Sequence, residues 1–140
     1  PDEGLDVWLG QFPKNDTRLT SCYLCLFTSQ SASTVITHAQ AMADITETAC
    51  TNYARQALAT ATWGALAERP TNLGRQSTYP QVTFPTVGAS GATINGFFIS
   101  DILSTTGDKC IGQANFDDTT AVPLMTNDVI KVTPTLALLH

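Results

Sequence analysis

The sequence predicts an all-β protein, an antiparallel β-sandwich of jelly-roll or immunoglobulin-like type with one short helix and an N-terminal arm. Short apolar runs of strand length recur between segments rich in Gly, Pro, Ser and Thr, as in "ATINGFFISDIL" at residues 92–103. Helical patterns are weak, and strands do not alternate with helices as they do in parallel sheets. We therefore expect one sandwich domain over residues 20–140, preceded by the arm at residues 1–19.

The arm contains large apolar side chains that follow neither a helical nor a strand period. We predict that it lies across a neighbouring subunit, because an aromatic anchor can dominate an interface. Packing of the arm against its own domain is an equally good interpretation. The apolar residues of the arm are Val7, Trp8, Leu9 and Phe12.

The first half of the domain is predicted to contain two strands and the short helix. The run "TSCYLCLF" at residues 20–27 is continuously apolar, as expected of a central strand covered on both faces. The helix is predicted at "HAQAMADI", residues 38–45. The Thr and Tyr content and the alternation of "TNYARQALATATW", residues 51–63, favour a strand. A connection punctuated by Gly and Pro follows at residues 64–76.

The second half is predicted to contain a hairpin and two further strands. Strand-like runs at residues 77–88 and 92–103 flank the short loop "GASG", which is the pattern of a hairpin. Two more strands are predicted at residues 109–118 and 128–139. Proline cannot donate a ladder hydrogen bond, so the last strand should lie at an edge or bend at Pro134.

Both faces of the run at residues 92–103 are apolar, although one core needs only one apolar row. We expect Ile94 and Phe98 to enter the core, whereas Phe97 and Ile99 face a partner chain or an overlying arm. The same core is expected to include Val82 and Phe84.

The composition argues against nucleic acid and membrane partners. The net charge is −5, so the chain repels the phosphate backbone that nucleic-acid-binding proteins must neutralise. No apolar run approaches the length of a bilayer span, and no signal segment is recognisable at the start. We expect synthesis in a cytoplasm, where the four cysteines are buried thiols.

The motifs do not predict a metal or cofactor site. Cys22 and Cys25 have the spacing of zinc ligands, but no second pair with this spacing follows. Residues three apart on a strand also point to opposite faces. Arg55, Arg69 and Arg75 are interleaved with aromatic residues, and we interpret them as surface arginines, with a ligand groove as the alternative.

No catalytic residues are predicted, and we expect a protein that is not an enzyme. His38 is the only histidine before the final residue, and Ser90 lies at the expected hairpin tip rather than at a strand-to-helix turn. The close carboxylate pairs lack an acid–base partner; they are Asp44 with Glu47 and Asp117 with Asp118.

Four segments in order resemble small virion structural proteins encoded by tailed bacteriophages. They are "NYARQ", "YPQVTF", "GFFISD" and "DVIKVTPTLAL", and the likeness covers most of residues 20–139. The resemblance implies a capsid cement or decoration protein on the capsid surface, bound to the major capsid protein and to its own copies, with a trimer as the first expectation. Its interface residues would be Val7, Trp8, Leu9, Phe12, Phe97 and Ile99.

Two alternatives to a capsid protein stay open. One is a tail or baseplate component that binds host carbohydrate, in which Trp63 and Tyr79 would stack on sugars. The other is an unrelated enzyme or small-ligand module on a β-sandwich.

Overall fold

The computed structural model describes residues 21–28, 42–69, 74–89, 93–116 and 122–139. Strands predominate in these ranges, every strand pairing is antiparallel, and the helical residues form two 3₁₀ turns. The all-β prediction is therefore confirmed at the level of the class. In chain order the strands are β1 (Ser21–Phe27), β2 (Gln56–Ala59), β3 (Ala67–Glu68), β4 (Gly74–Thr78), β5 (Val82–Thr83), β6 (Thr93–Ile94), β7 (Gly96–Ser100), β8 (Cys110–Asn115), β9 (Val122–Pro123), β10 (Lys131–Val132) and β11 (Thr135–Leu139).

The largest sheet has four strands in the order β2-β1-β7-β8. β1 lies inside this sheet, where Cys25 pairs with Phe98 and Leu26 pairs with Phe97 of β7. Four consecutive residues of β1, from Leu24 to Phe27, are fully buried. The continuous apolar run therefore forms a strand covered on both faces, as predicted.

The predicted hairpin is wrong. β5 pairs with β10, whereas β7 pairs with β1 and β8, so the two runs beside "GASG" are not partners. Pro80 and Pro85 interrupt the first run because they lack the N–H group that a ladder requires. The short strands β5 and β6 pair with the distant strands β10 and β9, which local turn chemistry cannot predict.

Other local predictions are partly confirmed. The strand at residues 51–63 is shorter than predicted: Gln56–Ala59 is extended, and Thr60–Thr62 forms a 3₁₀ turn. Within the predicted helix, Met42–Asp44 forms a 3₁₀ turn, and residues 38–41 lie outside the described residues. The last predicted strand is interrupted at Pro134, and the two strands on either side of it, β10 and β11, pair in different sheets, with β11 at the edge of the sheet β11-β4-β3.

β7 separates two groups of buried apolar side chains. Ile99 belongs to the large cluster on one face, and Phe98 belongs to the small cluster on the other. Leu136 of β11 also packs against the large cluster, so the three-stranded sheet covers the Ile99 face. The large cluster comprises Cys22, Leu24, Leu26, Leu58, Phe84, Val87, Ile94, Ile99, Leu124 and Val132. The small cluster comprises Cys25, Phe27, Ile45, Phe98 and Cys110.

The predicted division of the two apolar rows needs correction. Ile94 shares the large cluster with Ile99 rather than a face with Phe98. The reason is that Asn95 separates β6 from β7, and these two strands pair with different partners. Ile99 is only 1% exposed within the single chain, so it is a core residue and does not face a partner in this conformation. Phe97 is half-buried, and its ring lies 6.3 Å from that of Phe116.

Gly96 begins β7 at a point where no side chain fits. A Cβ atom there would overlap the Ala114 carbonyl oxygen and would lie 2.6 Å from Cζ of Phe27. The neighbouring strand and the buried Phe27 ring therefore approach the backbone closely, which is a common reason for glycine inside a strand.

Candidate functional site

A cluster of charged groups lies against the Phe98 face of the four-stranded sheet. We call it the Arg55 cluster, and it consists of Arg55, Glu47, Asp108, Tyr53 and Ser100. Three parts of the chain supply it: the segment before β2, the bridge at Glu47 that pairs with Phe27, and the two ends of the loop after β7. Residues far apart in sequence thus meet because β1 and β7 are neighbours in the sheet.

Arg55 is the centre of this cluster. Its Nη2 donates to Oε2 of Glu47 and to Oδ2 of Asp108, both at 2.7 Å, and its Nε lies 3.0 Å from Oε1 of Glu47. Nη1 donates to Ser100 Oγ at 3.2 Å and to two carbonyl oxygens of the following loop, of Ile102 at 2.9 Å and of Ser104 at 3.0 Å. Each guanidinium nitrogen therefore has an acceptor within the chain, which satisfies its planar set of donors.

The Arg55 cluster is largely shielded from water. The side chains of Arg55 and Asp108 are 4% and 5% exposed, and that of Glu47 is 17% exposed. Burial works against the charge on Arg55, but the hydrogen bonds to Glu47 and Asp108 outweigh it and raise the pKa of the guanidinium. A buried arginine of this kind needs both carboxylates, because an unpaired charge in the interior is costly.

Tyr53 joins the cluster to the core. Its hydroxyl donates to Oε1 of Glu47 at 2.6 Å and accepts the backbone N–H of Leu26 at 3.1 Å. Its ring stacks on that of Phe84 with 6.0 Å between centroids. Burial raises the pKa of the Tyr53 hydroxyl, and the adjacent Glu47 raises it further, so the hydroxyl stays protonated and donates.

The second apolar row of β7 meets this cluster. The guanidinium carbon of Arg55 lies 5.8 Å from the centroid of the Phe98 ring, within the range of a cation–π contact. The side chain of Phe98 is thus covered by the small cluster and by a charged group of its own chain, so the second apolar row is buried within the single chain.

The Arg55 cluster orders the loop at residues 101–109. In addition to the bonds from Arg55, the backbone N–H of Asp101 donates to the Lys109 carbonyl at 3.2 Å, and the Lys109 N–H donates to the Asp101 carboxylate at 2.7 Å. Between these anchors the side chains of Ile102 and Leu103 point into solvent, with Leu103 59% exposed. The buried charges thus hold a loop whose apolar residues are displayed.

An open depression of about 430 Å³ lies beside this loop. Its chemistry is limited, because Arg55 has no donor to spare for an anionic ligand and both carboxylates are paired with it. Ser100 is buried and hydrogen-bonded to the Ile102 carbonyl at 3.0 Å, so it is not placed as a nucleophile. The depression is lined by Glu47, Thr48, Tyr53, Ala54, Arg55, Leu103 and Thr105.

Three of the four cysteines, Cys22, Cys25 and Cys110, are buried thiols as predicted, whereas Cys50 is only partly buried. Cys22 belongs to the large cluster and Cys25 to the small one, so they point to opposite faces of β1, as predicted. Burial raises the pKa of the Cys22 thiol to about 11. Over the described ranges, no three His, Cys, Asp or Glu side chains lie close enough to hold a metal ion.

Trp63 and Tyr79, the predicted sugar-stacking residues, pack against each other. Their rings meet edge to face, with centroids 5.3 Å apart and planes at 70°. The Tyr79 hydroxyl accepts the backbone N–H of Ala59 at 3.2 Å. Both side chains also pack against the large cluster, so this aromatic pair is part of the fold rather than an open platform.

Several predicted residues lie outside the described part of the chain. These are the arm residues Val7, Trp8, Leu9 and Phe12, and the residues weighed as catalytic candidates, His38, Ser90, Asp117 and Asp118. Of the predicted interface residues that are described, Phe97 is half-buried and Ile99 is in the core.

The sequence prediction missed the Arg55 cluster. The sequence pattern predicts a surface position for Arg55 and groups Glu47 with Asp44, but Asp44 is exposed in the structure and Glu47 binds Arg55. One signal was present: Arg55 is the only charged residue between Glu47 and Glu68. A lone charge in a long uncharged segment has its counter-charges elsewhere in the fold, but Asp108 follows 53 residues later, and the sequence does not single it out.

No protein-family model, curated protein or solved structure matches this chain. Among the residues that the structure describes, no helix has the length and apolar character needed to cross a bilayer.

Proposed function

We propose that this chain is a non-enzymatic structural protein of a bacteriophage virion, a cement or decoration protein that attaches to the head shell. In this proposal it is made in the host cytoplasm and assembles on the capsid surface. It binds the major capsid protein and its own copies, with a trimer as the first expectation, and it contacts neither nucleic acid nor membrane. The antiparallel sheets are proposed to form a β-sandwich, with the large cluster between the four-stranded sheet and the sheet β11-β4-β3.

One observation carries this proposal: the most elaborate polar cluster of the described residues is satisfied by the chain itself. Each guanidinium nitrogen of Arg55 has an acceptor, and the result is an ordered loop that displays Ile102 and Leu103. The hydrogen bonds of Arg55 thus fix the conformation of an exposed apolar loop, which is a property expected of a protein that binds other proteins. A preorganised loop loses less conformational entropy on binding than a mobile one.

Exposed apolar side chains support the same interpretation. Scattered exposed apolar residues are normal, but in this chain they coincide with a low charge content of 14%. A shell offers many equivalent sites, so modest individual contacts give tight attachment through multivalency. Among the residues that the structure describes, the exposed large apolar side chains are those of Leu66, Ile102, Leu103, Val122, Met125 and Val129.

The test uses phage particles assembled without the protein. Purified chain is added to these shells, bound copies are counted after sedimentation, and the bound protein is located by cryo-electron microscopy. We expect saturable binding over the head and greater resistance of the shell to heat. A few copies at the tail would favour the tail or baseplate alternative, and the absence of binding would contradict both.

The predicted arm contact is tested in the same assay. Replacement of Trp8 by Ala is expected to weaken shell binding by about tenfold or more, as for other aromatic interface anchors. Gln11→Ala, a polar change in the same segment, is the matched control and should bind as the unmodified chain does. Equal binding by both variants would assign the arm to its own domain.

A further inference from the structure

The surface around Leu103 has the form of a docking site. Leu103 is 59% exposed and lines the depression of about 430 Å³, together with Glu47 and Tyr53. The loop that carries Leu103 is held by the carbonyl bonds from Arg55. We call Glu47, Ile102, Leu103 and Thr105 the acidic surface.

The acidic surface has an excess negative charge. Arg55 lies between two carboxylates, those of Glu47 and Asp108, and compensates only one of them. Asp101 and Lys109 at the base of the loop contribute one charge of each sign. Glu47 is the more accessible of the two carboxylates paired with Arg55, so a cationic group that enters the depression would meet Glu47 first.

A second surface of the chain has the complementary character. Leu66 is 68% exposed, and Arg75 donates from Nη2 to the Leu66 carbonyl at 3.0 Å, which places the guanidinium beside this leucine. Glu68 is 4.0 Å from Arg75 Nη1, and both side chains are more than half exposed, so this ion pair is weak. With Arg69 nearby, the net charge of the surface is positive. We call Leu66, Arg69 and Arg75 the basic surface.

The two surfaces lie on opposite sides of the four-stranded sheet. The acidic surface covers the Phe98 face, on which Arg55 packs. In the basic surface, Arg75 lies in β4, and Leu66 and Arg69 flank β3, in the sheet whose Leu136 packs on the Ile99 face. One copy cannot bring its own two surfaces together, because the sheet lies between them.

We propose that the basic surface of one copy binds the acidic surface of the next copy in a head-to-tail contact. Arg75 enters the depression toward Glu47, and Leu66 packs against Leu103. Such a heterologous contact closes into a ring when its rotation permits, and a ring of three would match the proposed trimer. This inference deepens the proposed function, because it names the contact between the copies of the proposed homo-oligomer.

The experiment uses two variants that each destroy one surface. Leu103→Asp removes the apolar side chain and adds a negative charge to the acidic surface, and Leu66→Asp with Arg75→Glu does the equivalent on the basic surface. Met125→Ser is the matched control, an exposed apolar residue outside both surfaces. Folding of each variant is checked by circular dichroism, and self-association is measured by sedimentation velocity over a range of concentrations.

We expect the unmodified chain and Met125→Ser to associate equally, and each surface variant to associate at least about tenfold more weakly. The decisive sample is an equimolar mixture of the two variants. Each retains one intact surface, so a head-to-tail contact predicts a one-to-one heterodimer that grows no further. Higher salt should weaken this heterodimer, because its ion pair is screened.

Three results would overturn the inference: an unmodified chain that stays monomeric, surface variants that associate normally, or a mixture of variants that stays monomeric. The shell-binding assay separates this failure from that of the proposed function. A monomer that still binds shells refutes the head-to-tail contact alone. A head-to-tail ring that does not bind shells supports this contact and refutes shell attachment alone.

Discussion

On one face of the four-stranded sheet Ile99 packs among aliphatic and aromatic side chains, whereas on the other face Phe98 lies beneath the guanidinium of Arg55. The first face is stabilised by removal of apolar surface from water, which is roughly proportional to area and has no direction. The second face combines the small apolar cluster with hydrogen bonds of the Arg55 cluster, which have defined donors and acceptors. The comparison shows that the two apolar rows of one strand can be buried by different groups, one by apolar side chains and the other partly by a buried ion-pair cluster.

The difference has a structural consequence for the chain. An apolar residue could replace a buried ion pair at little loss of stability, so such clusters are weak evidence for stability as such. The Arg55 cluster instead determines one conformation of the 101–109 loop, because its carbonyl acceptors are Ile102 and Ser104 of that loop. Both faces thus bury apolar side chains, and the Phe98 face also determines the shape of a surface.

The largest loss of stability is expected when the positive charge of the Arg55 cluster is removed and its two carboxylates are kept. Arg55→Met leaves Glu47 and Asp108 without their counter-charge, and we expect a loss of about 3–5 kcal/mol in the free energy of unfolding. Chemical denaturation measures this loss. The control is the triple variant Arg55→Met, Glu47→Gln, Asp108→Asn, which removes the charges together and should recover much of the stability. A loss below about 1 kcal/mol in the single variant would contradict a buried, coupled cluster.

The apolar face is tested by truncation of Ile99. Ile99→Ala should cost about 2–5 kcal/mol in the free energy of unfolding, because it leaves a cavity in the large cluster. The matched control is Leu103→Ala at the exposed loop, which should change stability by less than about 0.5 kcal/mol. If Ile99→Ala left the unfolding curve unchanged and weakened assembly instead, the original prediction of an interface residue would be right.

A smaller loss of stability is expected at Tyr53, which belongs to the Arg55 cluster and also packs against the large cluster. Tyr53→Phe keeps the ring that stacks on Phe84 but removes the hydroxyl, so the Leu26 N–H loses an acceptor and Glu47 loses a donor. We expect a loss of about 1–3 kcal/mol in the free energy of unfolding. Amide hydrogen exchange at Leu26 provides the second measurement, and unchanged protection there would show that the hydroxyl bond is dispensable.

The smallest effect concerns alkaline pH. Burial raises the pKa of Cys22 from 9.0 to about 11, so the folded chain holds this proton more tightly than the unfolded chain. Its contribution to stability is full below pH 9 and is lost as the pH rises toward 11. Burial also raises the pKa of Cys25 on the opposite face, which adds a loss of the same sign. Unfolding midpoints measured above pH 9 should fall less steeply for Cys22→Val, and an identical slope would contradict the assignment.

Predictions that depended on residues adjacent in sequence were confirmed more often than those that depended on which strands pair. The continuous run of β1 follows from its apolar content, and the interruption of the last strand at Pro134 follows from the missing N–H of proline. The hairpin prediction was wrong because β7 pairs with the buried β1 and with β8 rather than across the short loop. The strand pairing of an antiparallel sheet is decided by long-range packing, for which the turn signal is only a local guide.

The sequence by itself determined that this chain is mostly β, that β1 is buried on both faces, and that Cys22 and Cys25 point in opposite directions, because these properties follow from apolar content and the two-residue period of a strand. Only the tertiary structure decided what covers the second apolar row. Glu47, Arg55 and Asp108 meet because the order of strands brings their segments over Phe98, and a Coulombic attraction between buried groups depends on distance in space rather than on distance along the chain.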